Sequence, residues 1–159
     1  NAMVQIICDA EKYGYKYYRD QEPRIENETF ILDSTCHTAS FMASNSNVNA
    51  IVALTYTGDS VRKLASYRPK AAIYGFTPTK KLLRQLALYW GVQAYPCQDF
   101  MFTNDAVEYT LTTLFYQKKI GAGELVVSVG TLPLNKKGST NMVKFSYYKA
   151  DVIQRDMAE

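Results

Sequence analysis

Met3, Ile6, Ile7, Ala10, Tyr13 and Tyr17 recur at spacings of three and four, which predicts a helix from Met3 to about Arg19 carrying one apolar stripe. Asp20 to Glu28 is charged, contains Pro23 and has no period, so a connector is expected there. From about Thr29 to Asn45, Phe30, Ile31, Cys36, Ala39, Ser40 and Ala43 fit one face of a second helix. Asn45, Ser46, Asn47 and Asn49 then supply the residue types that favour turns. The pattern changes at Ala50-Ile51-Val52-Ala53-Leu54-Thr55, a nearly continuous apolar run with β-branched members, as a strand covered on both faces requires. Thr57, Gly58, Asp59 and Ser60 follow, and a helix carrying Val61, Leu64 and Ala65 stops ahead of Pro69.

The same unit repeats: Ala72 to Phe76 as strand, Thr79 to Leu88 as helix, Gly91 as its stop, and Val92 to Tyr95 as strand. Thr103 to Lys119 is the most regular helix, with Val107, Leu111, Leu114 and Phe115 on one face. Asp105 near its start and Lys118 and Lys119 at its end complement the helix dipole. Glu124 to Val129 is again a buried-type strand, and after the loop Gly130 to Asn141 the segment Met142 to Tyr148 alternates. With no helix between them, these two strands are expected to be antiparallel neighbours. The sum is an α/β fold, a three-layer α/β/α sandwich around a mostly parallel sheet of about five strands with the last reversed. Asn1 and Ala2, ahead of Met3, read as residue left by tag removal. Residues 3–28 are expected to be a helix and connector, 29–149 the domain proper, and 150–159 a polar tail.

A chain of 159 residues that is 47% apolar can bury one core without staples. The net charge of +3 is scattered, with no basic stripe to track a phosphate backbone, so nucleic acid is not expected as a partner. Cys8, Cys36 and Cys97 are odd in number and widely spaced, with neither metal-site nor disulfide spacing, which fits a reducing, cytoplasmic setting. No apolar run approaches the roughly 20 residues that cross a bilayer, so no membrane partner is expected. The 13 tyrosines fall mostly at helix and strand positions, where packing at a core margin explains them better than base stacking. Cys36-His37 pairs a thiol with the sole imidazole, but neighbours on a helix point about 100° apart and do not face each other. No catalytic residue and no metal ligand is assigned.

Five segments carry a resemblance: Ala50 through Ser60, then Ser66-Tyr67-Arg68-Pro69-Lys70, Arg84 through Val92, Gly123 through Val127, and Gly138-Ser139-Thr140-Asn141. In order and spacing they resemble the C-terminal α/β domain of pyruvate kinase, and the resemblance runs from Val4 to about Tyr148. Met3 through Glu11 is similar to the last helix of that family's catalytic barrel. The resemblance implies a parent enzyme that transfers a phosphoryl group from phosphoenolpyruvate to ADP in glycolysis. Its divalent metal, usually Mg, and monovalent cation, usually K, are held by the barrel and its lid. These residues alone are therefore expected to need no cofactor and to turn over no phosphoenolpyruvate. The partners implied are the rest of a pyruvate kinase chain, sister subunits in a homotetramer, and a sugar-phosphate effector. The role implied is regulation and assembly; a free-standing domain that binds a small phosphorylated metabolite is the other reading.

The turn Thr55-Tyr56-Thr57-Gly58-Asp59-Ser60 joins a strand's carboxyl end to a helix's amino end, where hydroxyls, backbone N–H groups and a positive dipole end can converge on an anion. In the resembling family this turn holds a phosphate of the activator, commonly fructose 1,6-bisphosphate. Equally, Thr57 or Ser60 could do no more than cap the helix, worth about 1 kcal/mol. Asp59 opposes an anion: two unit charges about 4 Å apart cost roughly 1 kcal/mol in water and about 4 at an effective dielectric of 20. Where some activator-binding relatives carry an arginine, this chain runs Asn104-Asp105-Ala106-Val107-Glu108. Lys136 and Lys137, ahead of Gly138 and Ser139 in the loop that covers the activator in the family, are the cations available to offset Asp59. An effector pocket and a vestigial one both remain open.

Overall fold

The computed structural model describes residues 2–12, 22–132 and 140–149. The far end of the expected first helix, the loop residues Lys136, Lys137, Gly138 and Ser139, and the tail from Ala150 lie outside the described residues.

Strands β1 (Ala50–Leu54), β2 (Ala72–Thr77), β3 (Val92–Pro96), β4 (Leu125–Gly130) and β5 (Met142–Tyr147) form one sheet in the order β3-β2-β1-β4-β5. All neighbours are parallel except β4 and β5, which are antiparallel. Residues of β1 point alternately to two separate cores, as period two demands. Ile51 and Ala53 join the cluster formed with helices α2 (Phe30–Ser44), α3 (Asp59–Tyr67) and α4 (Lys80–Leu86). Ala50 and Val52 join the cluster under α5 (Thr103–Tyr116), where Val107, Leu111 and Leu114 pack. That is why the β1 run reads as continuously apolar. Each fully buried Ile or Leu contributes about 1.5–3 kcal/mol relative to exposure.

The crossovers through α3 and α4 lie on one face of the sheet and the crossover through α5 on the other. The strand order therefore reverses between β1 and β4.

Two expectations need correcting in detail. Ile31 does not share the buried face of α2; it is 61% exposed, and Asp33 lies on that face with Cys36, Ala39, Ser40 and Ala43. Asp33 is tolerated there because Lys63 of α3 reaches it at 3.1 Å and the Thr29 hydroxyl donates to it at 3.2 Å. Spacings of three and four from the small residues run through Asp33, whereas Ile31 sits on the opposite side. The other correction is that α4 stops at Leu86, leaving Leu88 exposed in the turn that Gly91, at φ +69°, completes.

Helix α1 (Ala2–Lys12) presents Met3, Val4, Ile6 and Ile7 to solvent. Its apolar stripe has no cover among the described residues.

Gly58 opens α3 at φ +88°, and a Cβ added there would lie 2.8 Å from Leu82 Cδ1. Both the left-handed backbone and the closeness of α4 demand glycine. Gly58→Ala should lower stability by about 1–3 kcal/mol, read as a drop in the urea midpoint with an unchanged slope.

Burial, helped by the charge of Asp33, pushes the Cys36 thiol up to about 12, and burial pushes Cys97 up to about 11. Both thiols favour the folded state fully below the unfolded thiol value of about 9. As pH rises from about 9, the unfolded chain loses these protons while the folded chain keeps that of Cys97 toward about 11 and that of Cys36 toward about 12, so stability falls with pH over that window. A single group held this way contributes a slope of about 1.4 kcal/mol per pH unit. Cys36→Ala should flatten the fall in urea midpoint above pH 9; an unchanged slope would show that the thiol titrates freely in the folded chain.

Candidate functional site

The strand order reverses between β1 and β4, and a crevice lies at their carboxyl ends, where the chain leaves β1 into α3 and leaves β4 into its connection with β5. The chain leaves β1 through Thr55, whose N–H still donates to the Phe76 carbonyl at 2.9 Å. Its hydroxyl oxygen accepts the Gly58 N–H at 2.8 Å and so closes the turn into α3. Thr57 donates its hydroxyl to an Asp59 carboxylate oxygen at 2.6 Å, and Arg62, one turn further along α3, pairs with the other oxygen. The Thr57 hydroxyl, then Arg62, hold the Asp59 carboxyl below the usual carboxylate range against the opposing effect of burial. Asp59 thus enters the site as a neutralised partner of Arg62 rather than a bare charge.

The six turn residues expected to act together separate into roles. Thr55, Tyr56 and Thr57 line the crevice. Gly58 makes the turn, and Asp59 stands beside it with about half of its side chain exposed. Ser60 does not line the crevice; it is buried, with its carbonyl accepting the Cys36 thiol at 3.7 Å and its hydroxyl without a partner among the described residues. Tyr56 is half-buried, and burial, then a hydrogen bond to Asp99 and that carboxylate's charge, push its phenol up to about 12. Its hydroxyl is thereby engaged away from Thr55 and Thr57. Lys136, Lys137, Gly138 and Ser139 lie outside the described residues, so their relation to the crevice is not described.

Leu54 at the end of β1, Leu32 from α2, Thr131 just past β4 and Thr140 just before β5 complete the lining; none was singled out as a site residue from the sequence, although Thr140 belongs to the Gly138–Asn141 motif. Thr131 and Thr140 bring two further hydroxyl-bearing side chains beside those of Thr55 and Thr57. A signal for Thr131 exists only once β1 and β4 are known to be neighbours, because the crevice of an open sheet must then fall at their ends. Arg62 was also missed, although its position three residues after Asp59 on a helix makes the pair legible. Asn141 fastens the base of the β4–β5 connection: its amide donates to the Leu132 carbonyl at 2.8 Å, and its oxygen accepts the Leu132 N–H at 2.7 Å.

The crevice encloses about 20 Å³, room for about one water. A space of this size does not enclose a phosphate; the amino end of α3 and the threonine hydroxyls meet at its mouth. Cys36 and His37 make no catalytic pair: the thiol is fully buried and donates to the Ser60 carbonyl, while the imidazole lies edge-on to Tyr67 at 5.5 Å. Among the described residues no group of His, Cys, Asp and Glu is arranged to hold a metal.

Residues 33–145 match the family model described as the pyruvate kinase alpha/beta domain. A pyruvate kinase of Staphylococcus epidermidis is 32% identical over 141 residues, covering 89% of this chain and 24% of the relative. One from Staphylococcus haemolyticus is 34% identical over 143 residues with the same coverage. The crystal structure of a pyruvate kinase from Cryptosporidium parvum superposes with a TM-score of 0.67 at 20% identity, covering 74% of this chain and 22% of that one, and supports the fold. The chain spans about a quarter of the length of the curated relatives it matches. A match over this much of the chain, joined to the sheet order and the reversal that produces the crevice, leaves one conclusion: the chain belongs to the pyruvate kinase alpha/beta domain family.

Proposed function

We propose that this chain serves a cytoplasmic pyruvate kinase as its C-terminal regulatory and assembly domain, residues 29–149, preceded by a helix and connector, residues 3–28, from the end of the catalytic barrel. Transfer of phosphoryl from phosphoenolpyruvate to ADP is then the work of segments that the relatives possess and this chain does not span. The observation that carries the regulatory reading is the threonine-lined crevice at the strand-order reversal, with the amino end of α3 beside it. Its occupant is the phosphate of a sugar-phosphate effector. The uncovered apolar stripe of α1 supports the helix's origin, since such a stripe is stable in water only against a neighbour.

Binding has to displace a contact already made. The Thr57 hydroxyl is committed to Asp59, so an incoming phosphate competes with that carboxylate for the same donor. Arg62 is placed to transfer its charge from Asp59 to the ligand. Asp59→Asn removes the competing charge while keeping an oxygen for Thr57. Titration calorimetry with fructose 1,6-bisphosphate should show heat with the parent chain and an affinity at least about fivefold higher for Asp59→Asn, the equivalent of about 1 kcal/mol of relieved repulsion. Absence of heat from both proteins at millimolar ligand would remove the effector from this reading.

The assembly half of the proposal draws on a different surface. Strand β5 is a sheet edge with no proline in it and with Phe145 and Tyr147 exposed, and Phe41 and Met42 of α2 are exposed as well. An unpaired edge bearing exposed aromatic side chains is a template for pairing with another copy. Tyr147→Lys, which adds the charge that edge strands use against such pairing, should shift sedimentation equilibrium toward the monomer by about tenfold or more in dissociation constant. A variant that assembles as the parent does would place the contact elsewhere.

A further inference from the structure

A second concavity, of about 460 Å³, lies at the opposite side of α5's amino end from the core, where the segment following β3 turns into that helix. Its chemistry differs from that of the threonine crevice. The floor is apolar and aromatic: Phe100 packs against Tyr109 with ring centroids 5.2 Å apart, and Met101 and Phe102 are 89% and 66% exposed. The rim is acidic, formed by Asp99, Asp105 and Glu108.

Three features together say that this surface is made for something absent. The first is charge segregation. Between Arg84 and Lys118 the chain has no lysine or arginine, although the protein is basic overall, and the only carboxylates in that stretch are these three. The ion pairs among the described residues all lie elsewhere. Lys144 reaches this end of α5 but donates to the Asn104 amide oxygen at 3.0 Å rather than to a carboxylate. The second feature is the cap. None of α2, α3, α4 and α5 has a side-chain cap hydrogen bond, but Phe102, unlike the N-cap threonines Thr29 and Thr79, has no group that could make one, at a place where Ser, Thr, Asp or Asn would stabilise the helix by about 1 kcal/mol. The third is that two consecutive large apolar side chains stand in water next to that cap, with no folding benefit to explain them.

We propose that this groove docks a basic segment of a partner protein, with arginine or lysine heads on Asp105 and Glu108 and apolar side chains on Met101 and Phe102. Guanidinium suits both halves of the surface, since it pairs with carboxylates in its plane and stacks on aromatic faces. The open mouth and the exposed apolar side chains beside the acidic rim favour a peptide segment over a compact metabolite, and charge complementarity selects basic over acidic partners. Asp99 already accepts the hydroxyl of Tyr56 from the threonine crevice, so the carboxylates assigned to the partner are Asp105 and Glu108.

The test uses the 159-residue chain, isotopically labelled, titrated at low salt with a capped pentapeptide that alternates leucine and arginine. Backbone amide shifts confined to residues 98–109, weakening several-fold as salt is raised, are expected. The same peptide with glutamate for arginine should cause none. Asp105→Asn with Glu108→Gln should weaken binding about fivefold or more while leaving the fold intact, both side chains being exposed. Phe102→Ser separates docking from structure: as a better cap it should raise the thermal midpoint by about a few degrees while binding falls. No shifts in this segment, equal shifts from the glutamate peptide, or undiminished binding by the double variant would each overturn the proposal. So would equal shifts from arginine amide at the same concentration, which would indicate a site for small cations. A concentration-dependent dimer abolished by Asp105→Asn would overturn it in favour of a second copy of the chain.

Discussion

Strand β1 is paired on both edges and covered on both faces, and this double enclosure is the constraint from which the rest of the architecture follows. A strand so placed can offer side chains only to packing, so Ala50 through Leu54 are all apolar and the first polar group appears at Thr55, where the strand leaves the sheet. The neighbours of β1 are reached by crossovers on opposite faces, and the crevice is the gap that this leaves. Core and site are therefore consecutive along the chain. The last buried aliphatic side chains of β1 and the first hydroxyl of the crevice are separated by a residue or two.

Within the crevice the controlling quantity is the disposition of one carboxylate. Asp59 at the first turn of α3 is favourable to the helix dipole and to Arg62, and unfavourable to any anion that would use the same turn. The two effects are comparable, since a dipole or exposed ion-pair contribution is a few tenths to about 1 kcal/mol and repulsion at the surface is of similar size. In the proposed effector reading, helix stability and anion affinity are traded against each other at a single residue. The Thr57 hydroxyl reports which side prevails: in this structure it is given to Asp59.

Much of this was legible in the chain. The apolar runs of β1 and β4 follow from how many faces each strand has to cover, and a residue pattern records that directly; in β5 the alternation is present, but its apolar Phe145 and Tyr147 stand on the exposed side. The turn at Gly58 was legible because only glycine suits it. What local pattern could not carry was contact between distant segments. Asp33 reads as a polar interruption of α2 until Lys63, from another helix, is placed beside it. Thr131 and Thr140 are ordinary loop residues until the order of the strands brings them opposite Thr55 and Thr57. The residue pattern specifies a mostly parallel sheet but not its order, and the crevice lies where that order reverses.

Apart from the buried hydroxyls of Ser40, Ser60, Ser128 and Tyr148, which have no hydrogen-bond partner among the described residues, the places where this chain breaks local rules fall on its outside. A core fault would be ruinous, because the two clusters share the strands of a single sheet and a void on one side weakens the support of the other. A surface fault costs far less, about 1 kcal/mol for an uncapped helix and little for an exposed methionine. The apolar stripe of α1, the aromatic edge of β5 and the phenylalanine cap of α5 are all of this inexpensive kind. They lie on three separate elements, the first helix, the last strand and the helix opposite the main layer, so no single neighbour explains them all. Each is a surface departure of a size that the stability of the two clusters can absorb.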